Sequence, residues 1–274
     1  MLLIGTLVVL VLVFGVIAWA FWPKMRRTIH QKLAMVINEV MQQREHDVSL
    51  ALTRRATNDS AAWLGTIVMS GSAYPDKWSL LEASVKAASS LDGGLYCEFG
   101  VYSGASINFI AQRTTSAVHG FDPFEGLPED WRPGREKGTF KVDALRPVRE
   151  NVQLHKGWFD VTLPAFRESQ SGPVAFLHID ADLCSSTEII FEALGDWIVP
   201  GTVLQFDEYF NYPSWRDGEH RAFENFQARR NAKIEFIGYV PGDEQIAVQV
   251  VKIDQPVRQP ISGGTAALHD KINW

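Results

Sequence analysis

Cysteine is scarce in this chain, positive charge is not in excess, and a dinucleotide-binding glycine fingerprint is missing. There are two cysteines, Cys97 and Cys184. Two are too few for a disulfide framework, and their spacing matches no metal motif. Both lie in apolar, strand-like runs, so buried free thiols in a reducing compartment are expected. The formal net charge is −6, which argues against a nucleic-acid-binding face. No internal repeat or low-complexity tract is present, which excludes solenoids and compositionally biased scaffolds.

One long apolar run does occur, at the start. Leu2 to Trp22 is 21 residues without a charge. As a helix it would be about 31 Å long, enough to cross a hydrocarbon core. No Lys or Arg precedes it and no clear cleavage site follows, unlike a secretory signal. Trp19 and Trp22 sit where an interfacial aromatic belt would lie, and Lys24, Arg26, Arg27 and Lys32 follow. The positive-inside rule then puts everything after Lys24 in the cytoplasm. The expectation is a single-pass protein of the cell membrane with a cytoplasmic catalytic domain. Residues 1–23 would be the anchor, 24–75 a helical stalk or lid, 76–254 the folded domain and 255–274 a tail.

Between Thr28 and Arg55, Leu33, Val36, Ile37, Val40 and Met41 recur at helical spacing. That face suits a packing helix, a lid or a contact between two copies of the chain. "TNDS" at 57–60 reads as a break and a helix cap. A helix over Trp78–Ser90 should stop at Asp92-Gly93-Gly94. After Gly94 the pattern changes to short apolar runs, "LYCEFG", "AVHGFD", "VQLHKG", "VAFLHID" and "TVLQFDE", most of them separated by helical or loop segments. This is the signature of repeated βα units and a mostly parallel sheet. "KIEFIGYV" and "QIAVQVVKI", joined by "PGDE", read as a closing antiparallel hairpin.

In open α/β sheets ligands bind at the carboxyl ends of the strands. The first strand ends in Glu98, followed by a loop with Gly100 and Gly104 and a helix start near Ala105. The spacing is E-x-G-x-x-x-G rather than G-x-G-x-x-G, which suits a ligand without a pyrophosphate. It disfavours a nicotinamide-dependent oxidoreductase. The second strand ends in Asp122, an acid suited to ribose hydroxyls. Two further strands end in acids, Asp180 and Asp182 in one, Asp207 and Glu208 in the next. If these strands are neighbours in the sheet, like charges gathered there would repel one another unless a cation sits among them, and an all-oxygen site suits Mg²⁺.

"EFGVYSG", "GFDPFEGLP", "KGWFDVTLP", "IDAD" and "FDEY", in that order, resemble the class I S-adenosylmethionine-dependent methyltransferases, and most nearly the macrocin O-methyltransferase family. The resemblance spans about Asp76 to Asp254. It implies a Rossmann-like α/β fold with seven strands in the order 3-2-1-4-5-7-6, preceded here by the N-terminal transmembrane helix. It also implies methyl transfer from S-adenosylmethionine to a hydroxyl of a sugar, glycan or related small molecule, possibly lipid-linked. Glu98, Gly100, Tyr102, Ser103 and Gly104 would surround the methionine part of the cofactor, with Ser106 at the helix start. Asp122 would hold the ribose, and Gly157 and Trp158 would lie near the adenine.

The same resemblance implies Asp180, Asp207 and Glu208 as ligands of Mg²⁺ or another divalent cation, Asp180 thereby sharing in catalysis, with Asp182 behind them or facing substrate. The sugar methyltransferases usually carry two aspartates where this chain has Asp207-Glu208. Catechol-type relatives place a lysine base shortly after the first metal aspartate, and "IDADLCSST" has none. His220 in "DGEHRAF" is the expected base, ahead of His178. A catalytically inactive, membrane-tethered cofactor-binding or scaffold protein is the competing expectation. A long loop, "EGLPEDWRPGREKGTF", would form an acceptor lid through Trp131, Arg132 and Arg135.

Overall fold

The structure is a computed structural model that describes residues 22, 24–42, 44, 46–67, 72–144 and 147–254. The chain divides into two compact units, 1–55 and 56–274. Residues 24–42 form helix α1, and its periodic residues Leu33, Val36, Ile37, Val40 and Met41 are all exposed. Helix α2 (Val48–Ile67) follows a break at which Asp47 Oδ1 accepts the Leu50 amide at 3.1 Å, a side-chain N-cap. Among the described residues no helix is long and apolar enough to cross a membrane. This corrects the expected assignment to the cell membrane with a cytoplasmic domain. The run that suggested it, residues 2–21, lies outside the described residues, as does the tail 255–274.

The break expected at Thr57–Ser60 is also absent, because α2 runs through it. The polar side chains there serve a distant loop instead of capping. Thr57 Oγ1 donates to Asn211 Oδ1 at 2.7 Å, Ser60 Oγ accepts from the Asn211 amide at 2.9 Å, and Asp59 pairs with Arg216 at 2.8 Å.

The rest alternates strand and helix: β1 (Ser72–Ala73), α3 (Lys77–Ala88), β2 (Leu95–Phe99), α4 (Ala105–Ala111), β3 (Val118–Asp122), β4 (Val152–Lys156), α5 (Phe159–Ser169), β5 (Val174–Ile179), α6 (Cys184–Leu194), β6 (Val203–Phe206), α7 (Glu219–Arg230), β7 (Lys233–Tyr239) and β8 (Ile246–Lys252). They build one sheet in the order β1-β7-β8-β6-β5-β2-β3-β4, with β8 antiparallel to both neighbours. The seven expected strands are present in the expected order. The sheet has an eighth, the two-residue β1 parallel to β7 at the edge, too short to leave a periodic signal in the sequence.

Central strands β2 and β5 are almost wholly buried, as parallel strands covered on both faces must be. Alternate residues enter opposite cores. Cys97, Phe99, Leu177 and Ile179 pack with Leu163 and Phe166 of α5, Ile190 of α6 and Phe223 of α7. Tyr96 and Phe176 pack with Leu81 and Val85 of α3 and Ile107 and Ile110 of α4. Each fully buried Phe or Leu contributes about 1.5–3 kcal/mol, so the two layers hold the strand ends in fixed register. Both cysteines are free, but Cys184 is half-buried at the start of α6, not buried in a strand as expected. Burial pushes the Cys97 thiol well up and keeps it unreactive.

Candidate active site

The carboxyl ends of β2, β3, β5 and β6 open into a cavity of about 650 Å³. On one side the β2–α4 loop leaves the sheet at Gly100, where φ is 89°. A Cβ at that position would collide with the Asp180 carbonyl, so only glycine lets this loop and the β5 loop touch. Tyr102 follows with φ 46°, a left-handed conformation that a non-glycine residue holds only when its surroundings enforce it. Asp122 supplies that enforcement. Its Oδ2 accepts from the amides of Val101 and Tyr102 at 2.8 Å each, and its Oδ1 from that of Phe124 at 2.6 Å. Three of a carboxylate's roughly four acceptor positions are thereby engaged, and one remains toward the cavity.

On the other side the acids gather. One carboxylate oxygen each from Asp180, Asp207 and Glu208 lie within 4.8 Å of one another. Burial raises the Asp180 and Glu208 carboxyls well above the ordinary range, and the neighbouring carboxylates push the same way. Asp207 Oδ1 and Glu208 Oε2 are buried without a hydrogen-bond partner. Glu219, fully buried at the start of α7, accepts from the Ala181 amide at 3.0 Å and the Glu208 amide at 3.3 Å. It therefore ties the β5 and β6 loops together. Asp182, with φ 62°, faces the cavity; burial raises it to about 7 against the pull of Arg132 and Arg135.

Among the described residues a single lysine enters this cluster. Lys77 Nζ lies 3.3 Å from Asp207 Oδ2. Burial works against its charge, but attraction by Asp207, Asp180 and Glu208 leaves the ammonium raised. Behind Asp207, His178 Nε2 stands 3.9 Å from Oδ1, while His178 Nδ1 is 2.9 Å from Glu98 Oε1. Over the mouth, the loop after β3 is clasped to the β7–β8 turn. Arg132 Nη1 lies 2.9 Å from both oxygens of Glu244, and the Arg132 guanidinium stacks 3.9 Å from the Trp131 ring centre.

The cavity brings together Gly100, Tyr102, Asp122, Trp158, Asp180, Asp182, Asp207 and Glu208 from the expected set. Ser103, Gly104 and Gly157 belong to the bordering loops and Ser106 to the first turn of α4, and none of them lines it. Glu98 is fully buried and does not line the cavity; its Oε1 meets His178 Nδ1 at 2.9 Å, and its Oε2 has no hydrogen-bond partner among the described residues. His220 is corrected: it does not line the cavity. It is 1% exposed inside a box of Trp63, Tyr209 and Trp215, with ring centres 5.3, 5.0 and 4.5 Å away. Burial lowers it to about 4, and although Glu224 stands 3.5 Å from Nδ1, neither ring nitrogen is hydrogen-bonded. It cannot reach an acceptor in the cavity.

Two residues escaped the sequence. Lys77 did leave a signal: a lysine in the first turn of a helix opposes the macrodipole, so an acid elsewhere was needed to hold it there. Glu219 left none, because an acid at a helix start looks like ordinary dipole compensation.

Residues 97–209 match the family model of a methyltransferase domain. No curated protein matches the chain. Among solved structures, the calicheamicin methyltransferase CalS11 is similar at 22% identity and a TM-score of 0.53, covering 63% of this chain and 77% of that one. The O-methyltransferase NovP is similar at 19% identity and a TM-score of 0.52, covering 64% and 80%. At this identity the likeness shows a shared class I methyltransferase fold, which agrees with the strand order above.

Proposed function

From a methyltransferase domain of the class I fold over residues 97–209, we propose that the chain transfers the methyl group of S-adenosylmethionine to a hydroxyl of a sugar or related small molecule. One observation carries this reading. A glycine-cornered loop organised by Asp122 and a buried cluster of carboxylates open into the same cavity. The first suits a nucleoside-bearing methyl donor, and the second suits activation of a poor nucleophile.

S-adenosylmethionine supplies a sulfonium methyl that is already electrophilic. In the transfer the carbon–sulfur bond breaks, a carbon–oxygen bond forms, and the hydroxyl proton must leave. Gly100 and Tyr102 present the loop backbone to the donor, the free position of Asp122 is available to its ribose, and Trp158 offers a face to its adenine. The carboxylate cluster fits a divalent cation: three oxygen donors converge, two buried oxygens have no partner, and one lysine is too little charge to balance them. Asp180, Asp207 and Glu208 would hold that ion, which would supply Lewis acidity to the acceptor hydroxyl. Asp182 faces the same space from the next turn and is the carboxylate placed to take the proton. Trp131, held under Arg132, closes the mouth and excludes water.

The reading is tested by titrating the full chain with S-adenosylhomocysteine, then assaying radiolabelled methyl transfer to a panel of sugars with MgCl₂ or with chelator. Binding of S-adenosylhomocysteine and chelator-sensitive transfer are expected. Absence of product binding would sink the proposal.

A further inference from the structure

We propose that Lys77 is a resident cation of the carboxylate cluster, displaced from Asp207 when a divalent ion binds. The inference rests on the metal reading above and concerns what this chain does before the ion arrives. Lys77 opens α3 and is carried to the cluster by the Asp76 cap, whose Oδ1 accepts the Ser79 amide at 2.8 Å. Its Nζ takes Asp207 Oδ2 at 3.3 Å, an oxygen of one of the three converging ligands. Arg132 is turned elsewhere, its Nη1 2.9 Å from both oxygens of Glu244.

An ammonium bonded to Asp207 and a divalent ion shared by the three carboxylates would sit on the same side chain, and their charges repel at contact distance. Without Lys77, the three carboxylates would keep only Arg132 and Arg135 of the cavity lining as nearby positive charge, and their mutual repulsion costs stability. The lysine therefore keeps the cluster assembled while it holds no metal. It also sets a threshold that the ion must overcome. The tether is a flexible four-carbon stem, so release requires no backbone movement.

Calorimetric titration of the full chain with MgCl₂ alone tests this on the wild type, Lys77→Met and Lys77→Arg. Lys77→Met should bind Mg²⁺ at least about tenfold more tightly, and Lys77→Arg within roughly threefold of wild type. In thermal melts without metal Lys77→Met should unfold earlier than wild type, with the gap closing as MgCl₂ is added. If Lys77→Met proves unfolded, Lys77→Gln replaces it with the same expected gain. Equal or weaker Mg²⁺ binding in the neutral variant overturns the exchange. A parallel titration with S-adenosylhomocysteine separates the two failures. If the product binds but Mg²⁺ does not, the exchange falls and the methyl-donor reading stands. If the product does not bind either, both fall.

Discussion

Asp122 and Asp180 each follow or end a buried parallel strand, and both face one cavity, yet their surroundings are opposite. The Asp122 carboxylate is engaged by three backbone amides from its own and the neighbouring loop. The Asp180 side chain makes no hydrogen bond among the described residues and instead faces Asp207 and Glu208. An acid satisfied by amides shapes a loop and is stable as it stands. An acid opposed by acids is stabilised by a cation or by taking up a proton. Under the proposed function, the donor half of the site would be built in advance and the acceptor half left to be completed.

The contrast can be broken most sharply at Asp180. Asp180→Asn should weaken Mg²⁺ binding and methyl transfer at least about a hundredfold. S-adenosylhomocysteine affinity should stay within roughly threefold, as read by calorimetry of both ligands. A fully active Asp180→Asn protein would reduce the cluster to ordinary strand-end acids. Asp122→Ala should behave in reverse. Losing a charged acceptor to three amides should cost about 3 kcal/mol in urea denaturation, with weaker product binding and little change in Mg²⁺ affinity.

His220 offers a third test. Its folded form is neutral because burial lowers it to about 4, whereas the unfolded chain protonates near 6.5. The unfolded state therefore binds more protons between those values, and stability falls as pH drops from about 6.5 toward 4. His220→Phe should fold, retain methyl transfer and lessen that acid-induced loss, as checked by urea melts across the window. Loss of transfer in this variant would restore His220 to the chemistry. The smallest effect belongs to Arg216→Ala. Its pair with Asp59 is half-exposed on both sides, and such pairs contribute up to about 1 kcal/mol.

Strands β2 to β6 were legible because each is a short, largely apolar run closed by a glycine or an acid, and local pattern alone marks it. What could not be read was assembled from afar. The "TNDS" segment looks like a helix break until Asn211 and Arg216, more than 150 positions later, pair with its polar groups. His220 looks like a base until Trp63, Tyr209 and Trp215 enclose it. The acids of the cluster were visible because two consecutive strands end in them. The direction of Glu98 was not legible, because sequence shows that an acid stands at a strand end but not which way it turns, and here one of its oxygens meets His178 on the adjacent strand.

The contact at Gly100 has a consequence for substrate range. The Asp180 carbonyl occupies the volume where a Cβ would stand, so the donor loop and the first acid-bearing loop abut as rigid parts, with no slack between them. Glu219 locks the second acid-bearing loop to the first through backbone amides. Under the proposed function, the distance from methyl donor to acceptor oxygen would be a gauge fixed by the frame. Acceptors of different bulk would then be fitted at the clasped loop, which is held by the Arg132–Glu244 pair, the Ser185–Glu129 hydrogen bond and the Trp131–Tyr212 ring contact. Retargeting that transfer to a new alcohol would be a matter of recutting residues 125–142 and leaving the frame untouched.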